Sequence, residues 1–164
     1  MATVDKNLCS YNSNELPNGA RYKVGIVVSE WNSEFTESML KAAVEVLDQS
    51  GVLSENIHVK WVPGSFELPL GAQLMLESDS LNLDGVIAIG SVIRGETAHF
   101  DYVCSAAAQG IMDVNLKYGK PVSFCVLTDN NEEQTRARSG GEHGNKGTEA
   151  AVVVLKMLAL TPEL

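Results

Sequence analysis

The sequence has little of what would bind nucleic acid, enter a membrane or staple a small fold. Only 12 of its 164 residues are Lys or Arg, against 21 Asp and Glu, for a net charge of −9. The pI is near 4.7. Such a chain lacks the clustered cations needed to wrap nucleic acid or lie on an anionic membrane. A small anionic ligand stays open, because a pocket is set by local charge. Cysteine is scarce too. Cys9, Cys104 and Cys125 are odd in number and widely spaced, which argues against a disulfide framework. No CxxC or Cys/His ligand spacing occurs, so no metal site is expected. No apolar stretch approaches the roughly 18 residues of a membrane span. The opening MATVDKNLCSYNSNELPNG has no apolar run of signal-peptide length. A soluble, cytoplasmic protein is expected.

What is present suits a single globule. Hydrophobic residues make up 45% and charged residues 20%, and a chain of this size can bury a real core unaided. A polar, extended arm is expected over residues 1–20, with Pro17 and Gly19, followed by one domain over 21–164.

Four short runs rich in Val and Ile read as strands: Tyr22 to Ser29, Ile57 to Val62, Asp84 to Gly90 and Pro121 to Thr128. They alternate little, as strands covered on both faces do. Helical patterns lie between them. In the first, Phe35, Met39, Ala42, Val46 and Leu47 recur at spacings of three or four, with Asn32 or Ser33 to cap the start and Gly51 to stop it. Others are expected over about Phe66 to Glu77, Thr97 to Tyr118, Asn131 to Ala137, and Lys146 to Leu160, the last closed by Pro162. Strand–helix alternation with right-handed crossovers gives a doubly wound α/β fold. The expected form is a three-layer α/β/α sandwich around a mainly parallel four-stranded sheet, of the flavodoxin-like kind.

In such folds ligands sit beyond the carboxyl ends of the strands, so the turns there matter most. Gly90 to Thr97 spells GSVIRGET between a strand and a helix. Its glycines let backbone approach a ligand, and free N–H groups at the helix start favour an anion. It nearly spells a P-loop, but Glu96 stands where the lysine belongs, which argues against a nucleoside triphosphatase. The plainer alternative is a tight βα turn. A second glycine-rich segment, RARSGGEHGNKGT, runs from Arg136 to Thr148. Three of the four arginines, Arg94, Arg136 and Arg138, fall in these two segments. Arg138 could clamp a phosphate; alternatively both Arg136 and Arg138 cover a surface and meet carboxylates. His99 is the best single catalytic candidate. It lies in the first turn of a helix, where a neutral imidazole able to exchange protons is expected. Trp31 and Phe66 head turns where a ring could stack on a planar ligand. Glu67 reads as a dipole partner or an acid/base group, and Cys104 reads as core.

Taken together, WVPGSFELP (Trp61 to Pro69), GSVIRGETAHFDYVCSAAAQGI (Gly90 to Ile111) and RSGGEHGNKGTEAA (Arg138 to Ala151) resemble the 6,7-dimethyl-8-ribityllumazine synthases of riboflavin biosynthesis. The order and spacing hold over about residues 22–160. That family joins 5-amino-6-(D-ribitylamino)uracil to 3,4-dihydroxy-2-butanone 4-phosphate with no metal or organic cofactor. The resemblance implies that Trp31 stacks on the uracil ring. Ser65, Phe66 and Glu67 border the ring and ribityl chain, and Val92 and Ile93 meet the pyrimidine. Gly95, Glu96 through its backbone, and Thr97 hold the phosphate with Arg138. His99 moves protons. Phe124, offered by a neighbouring subunit, and Lys146 line the site.

The family builds this site between subunits of a pentamer, and some members form 60-subunit icosahedral shells. Nothing is inserted across Arg138 to Gly144, where members that stop at pentamers often carry extra residues, so a shell is expected. Pro17 keeps a pentamer or a pair of pentamers open. The arm is expected to add to a neighbour's sheet, and riboflavin synthase is a candidate partner. Two alternatives stay open: a catalytically weak riboflavin- or lumazine-binding paralogue, and a flavodoxin-like module that binds a phosphorylated ligand.

Overall fold

A computed structural model of the chain describes residue 11 and residues 16–160. Most of the expected N-terminal arm, Cys9 and Pro162 lie outside the described residues. Four strands, β1 (Val24–Ser29), β2 (Ile57–Val62), β3 (Gly85–Ile93) and β4 (Val122–Asp129), form one sheet in the order β2-β1-β3-β4. Every pairing in it is parallel. Among the described residues five α-helices accompany them: α1 (Ser33–Gln49), α2 (Leu68–Glu77), α3 (His99–Tyr118), α4 (Glu132–Arg138) and α5 (Lys146–Leu160). This is the expected three-layer sandwich.

Alternation along the strands assigns the layers. Val24, Ile26 and Val28 of β1 face a core shared with α1 and α5, as do Ile87, Ile89, Cys125 and Leu127. Val27 faces the opposite way, with Val86, Ala88, Val122 and Val126, against α2 and α3. Both faces are covered, so the strands carry apolar residues almost continuously.

The α1/α5 layer packs to backbone contact. A Cβ added at Gly147 would lie 1.9 Å from the Met39 carbonyl oxygen, so only glycine lets the start of α5 cross α1. On α1 the buried alanine is Ala43, not the expected Ala42. Cys125 is buried there beside Met39, and burial pushes its thiol up to about 12, which leaves it a packing residue.

Three local expectations are corrected. The third strand does not stop at Gly90 but runs on to Ile93, because β4 supplies partners as far as Asp129. Gly90 serves packing instead: a Cβ there would meet Ser65 Oγ at 2.5 Å and Leu68 Cδ1 at 2.8 Å. Asn32 is the N-cap of α1 in the left-handed region at φ 59°, yet its side chain does not cap the helix. The third helix begins at His99 rather than Thr97, whose Oγ1 accepts from the His99 N–H at 3.4 Å. A small antiparallel hairpin, β5 (Ser139–Gly141) and β6 (Gly144–Asn145), fills the second glycine-rich segment and had no counterpart in the sequence reading.

Candidate active site

The turns beyond the carboxyl ends of β1 and β2 are tied to each other, and the turn after β1 is tied to strand β3. Glu30 N–H donates to the Val62 carbonyl at 2.8 Å, and Trp31 N–H to that of Pro63 at 3.3 Å. The Asn32 amide donates to the Ser91 carbonyl at 3.1 Å, which accounts for its failure to cap α1. Thr36 Oγ1 donates to the Ser29 carbonyl at 2.9 Å. These bonds tie the turns after β1 and β2 to each other, and the first of them to strand β3, before any ligand arrives.

The rim encloses a cavity of about 790 Å³. Its walls include Trp31, Ser65, Phe66, Glu67, Val92, Ile93, Gly95, Thr97 and His99, all singled out from the sequence. Trp31 is 71% exposed and Phe66 58% exposed, so both rings stand ready to cover a flat ligand. Ser65 is buried, and its Oγ has no hydrogen-bond partner within the protein. A buried hydroxyl in that state is costly until something pairs with it. Gly95 and Thr97 sit in the turn that leads into α3, whose N–H groups and dipole favour an anion at its start. His99 opens that helix and is exposed.

Sequence reasoning missed part of the wall. Asn32, Pro63, Gly64, Phe100, Val103 and Glu132 also line the cavity. Glu132 begins α4 just past the carboxyl end of β4, so the rule that pointed to the other turns could have found it.

Four expected residues are not in that wall. Glu96 lies exposed in the same turn as Gly95 and Thr97. Phe124 sits on the edge strand β4 and is 45% exposed. Arg138 closes α4, six residues beyond Glu132 and therefore about 9 Å further along the helix axis. Its Nη1 donates to the Gln134 carbonyl at 3.0 Å, and its Nε stands 3.9 Å from Asp129, which also accepts from Thr135. Lys146 opens α5 and pairs with Glu149 at 2.6 Å.

The other arginines of the two glycine-rich segments are committed elsewhere. Arg136 ion-pairs with Glu34 of α1 and lies over Phe35. That bond holds the Glu34 carboxyl below its ordinary value. Arg94 pairs with Asp101 and Asn130. Cys104 is only half-buried, a correction to the core reading. Burial, then the Asp101 charge, raises its pKa. Among the described residues no group of three or more His, Cys, Asp or Glu is placed to hold a metal ion, and no helix is long and apolar enough to cross a membrane.

A parallel α/β sheet with a cavity at its carboxyl edge, lined by two exposed rings and by the turn that leads into a helix N-terminus, suits an enzyme acting on small anionic, ring-bearing substrates. The family model for 6,7-dimethyl-8-ribityllumazine synthase matches residues 21–162. A 6,7-dimethyl-8-ribityllumazine synthase of Christiangramia forsetii is 54% identical over 161 residues, covering 98% of this chain and 95% of its own. One of Cytophaga hutchinsonii is 53% identical over 161 residues, covering 98% and 99%. One of Parabacteroides distasonis is 49% identical over 158 residues, covering 96% and 98%. The chain belongs to the 6,7-dimethyl-8-ribityllumazine synthase family.

Proposed function

We propose that the chain condenses 5-amino-6-(D-ribitylamino)uracil with 3,4-dihydroxy-2-butanone 4-phosphate. The products are 6,7-dimethyl-8-ribityllumazine, inorganic phosphate and water, in riboflavin biosynthesis. The observation that carries this reading is one cavity, in a member of this family, that joins an aromatic platform, an unpaired buried hydroxyl and a glycine-bearing helix start. Trp31 stacks on the pyrimidine, with Phe66, Val92 and Ile93 bordering it. Ser65 and Glu67 meet the ribityl hydroxyls; the missing partner of Ser65 Oγ supports this. Gly95, the Glu96 backbone and Thr97 hold the phosphate at the start of α3.

The chemistry asks mainly for alignment. The aromatic amine of the first substrate is already a nucleophile and adds to the carbonyl of the second. Loss of one water gives the imine, phosphate is eliminated, and the ribitylamino nitrogen adds to the remaining carbonyl with loss of a second water, which closes the ring. Holding two substrates in register, with charge stabilisation for the departing phosphate, supplies most of the acceleration. His99 carries protons between these steps.

Phe124, Arg138 and Lys146 complete the cavity of an adjacent copy, Arg138 as the phosphate clamp. Their positions outside the chain's own cavity support a shared site. So do the apolar side chains left exposed on α2 and α3, among them Leu70, Leu74, Met112 and Leu116. The assembly is a pentamer, and by its uninterrupted Arg138–Gly144 segment a 60-subunit shell. It is cytoplasmic, and riboflavin synthase, which consumes the product, is its partner.

The test is direct. Protein mixed with the two substrates should release phosphate and generate lumazine absorbance and fluorescence together. Tight binding of lumazine or riboflavin without turnover would instead identify a binding paralogue.

A further inference from the structure

We propose that Arg94 is a positioning residue for this reaction, stapling the Gly95–Thr97 turn closed and fixing the helix start that carries His99. The proposal rests on the reading above, in which that turn meets the phosphate.

The turn has little else to hold it. Residues 95–99 are exposed. A Cβ added at Gly95 would meet nothing within 4 Å, so that side of the turn stands open. The only side-chain bond inside the turn is the long one from His99 N–H to Thr97 Oγ1, 3.4 Å.

Arg94 supplies the restraint from just past the end of β3. Its Nη2 and Nη1 donate to the two oxygens of Asp101, at 3.0 and 3.4 Å. Its Nε donates to Asn130 Oδ1 at 3.1 Å. Its guanidinium lies over the ring of Phe100, 4.1 Å from the centroid, and Phe100 lines the cavity. Its backbone N–H donates to the Asp129 carbonyl at 2.9 Å. One side chain thus spans the turn, grips two residues of the first turn of α3, and anchors both to the connection between β4 and α4.

These contacts also say what Arg94 does not do. Its fork is spent on Asp101 and Asn130, so it does not present a free bidentate edge to the phosphate. An exposed ion pair alone contributes little. A planar fork that is also stacked on a ring restricts geometry more than charge alone, and a lysine cannot reproduce it. Order built in before binding is order the ligand need not impose, and it appears as affinity.

The experiment is steady-state kinetics on the assembled full chain, varying each substrate in turn. Arg94→Ala should raise KM for the phosphorylated substrate about three- to tenfold and lower kcat, with KM for the aminopyrimidine moving by no more than about twofold. Asp101→Asn, a milder change, should raise the same KM, and the double variant should be no worse than Arg94→Ala. Arg94→Lys should not rescue. Four results would overturn the staple. They are unchanged constants in Arg94→Ala, a lowered or unchanged KM in Asp101→Asn (a freed guanidinium binding phosphate itself), an equal rise in both KM values, and full rescue by lysine. A wild-type chain with no turnover at all would defeat the functional reading itself, and the staple with it.

Discussion

The two helix layers of this sandwich are finished to different degrees. On one face, α1 leaves no large apolar side chain exposed, and α5 crosses it at backbone contact through Gly147. The exposed apolar residues of α5, such as Met157 at 46%, are fewer and better covered than those opposite. On the other face, Leu74 is 58% exposed on α2, and Leu116 is 76% exposed on α3. The cavity opens beside that unfinished layer, walled by Phe66 before α2 and by Phe100 and Val103 of α3. A monomer that leaves such side chains in water has not completed its burial. The first layer holds the fold together; the second leaves apolar area uncovered, which supports the proposed association with another copy.

The largest effect should come from breaking the finished layer. Gly147→Ala drives a methyl into the Met39 backbone, which cannot yield as a side chain would. It should cost about 3 kcal/mol or more of stability, read as a lowered urea midpoint. On the unfinished layer, Leu116→Lys should leave the folded chain intact and disperse the assembly, with most of the activity lost. Native mass spectrometry beside circular dichroism would separate the two outcomes; loss of fold in Leu116→Lys would erase the distinction between the layers.

The same contrast runs through α4. Arg136 is spent on Glu34 of the finished layer, whereas Arg138 has one bond to the Gln134 carbonyl of its own helix and a carboxylate only at 3.9 Å. Arg138→Ala should raise KM for the phosphorylated substrate by about ten- to a hundredfold, the range of one charge-assisted contact. Arg136→Ala should leave that KM unchanged. Equal effects from both would remove Arg138 from the clamp. The smallest of these effects belongs to His99. Replacing it with alanine should cost about tenfold in kcat, short of the roughly hundredfold or more of a general acid–base group, because alignment supplies most of the rate. Complete inactivity in an assembled His99→Ala protein would contradict that.

How much of this could be read beforehand depended on range. The strand–helix alternation, the layers and the cavity turns follow from local signals: Val and Ile runs, helical spacing, and glycines next to helix starts. Trp31, Ser65, Phe66, Thr97 and His99 converge because each heads a turn at the same edge of one parallel sheet. Where a distant partner decided the outcome, the sequence was silent. Gly90 looked like the end of a strand, yet β4 carries the pairing three residues past it. Arg136 and Arg138 are the same residue two positions apart, and only the approach of Glu34, 102 residues away, distinguishes them. Asn32 reads as a cap, but Ser91 claims its amide. Arg94 lies in a glycine-rich segment, and nothing local shows that Asp101 and Asn130 occupy its guanidinium.

The central claim is that the condensation takes place in a cavity that one chain forms and another completes. Two weakened variants test it together, assayed with the phosphorylated substrate near its wild-type KM, where each alone is slow. Trp31→Ala/His99→Ala damages the cavity and keeps Arg138; Arg138→Ala keeps the cavity and loses the clamp. Refolded together in equal amounts, random closed assemblies should hold an intact pairing at about one site in four. Activity should therefore return to about a quarter of the wild-type rate. No recovery above the separate variants, in assemblies verified to be mixed, would mean that each chain supplies its own arginine and that the site is not shared.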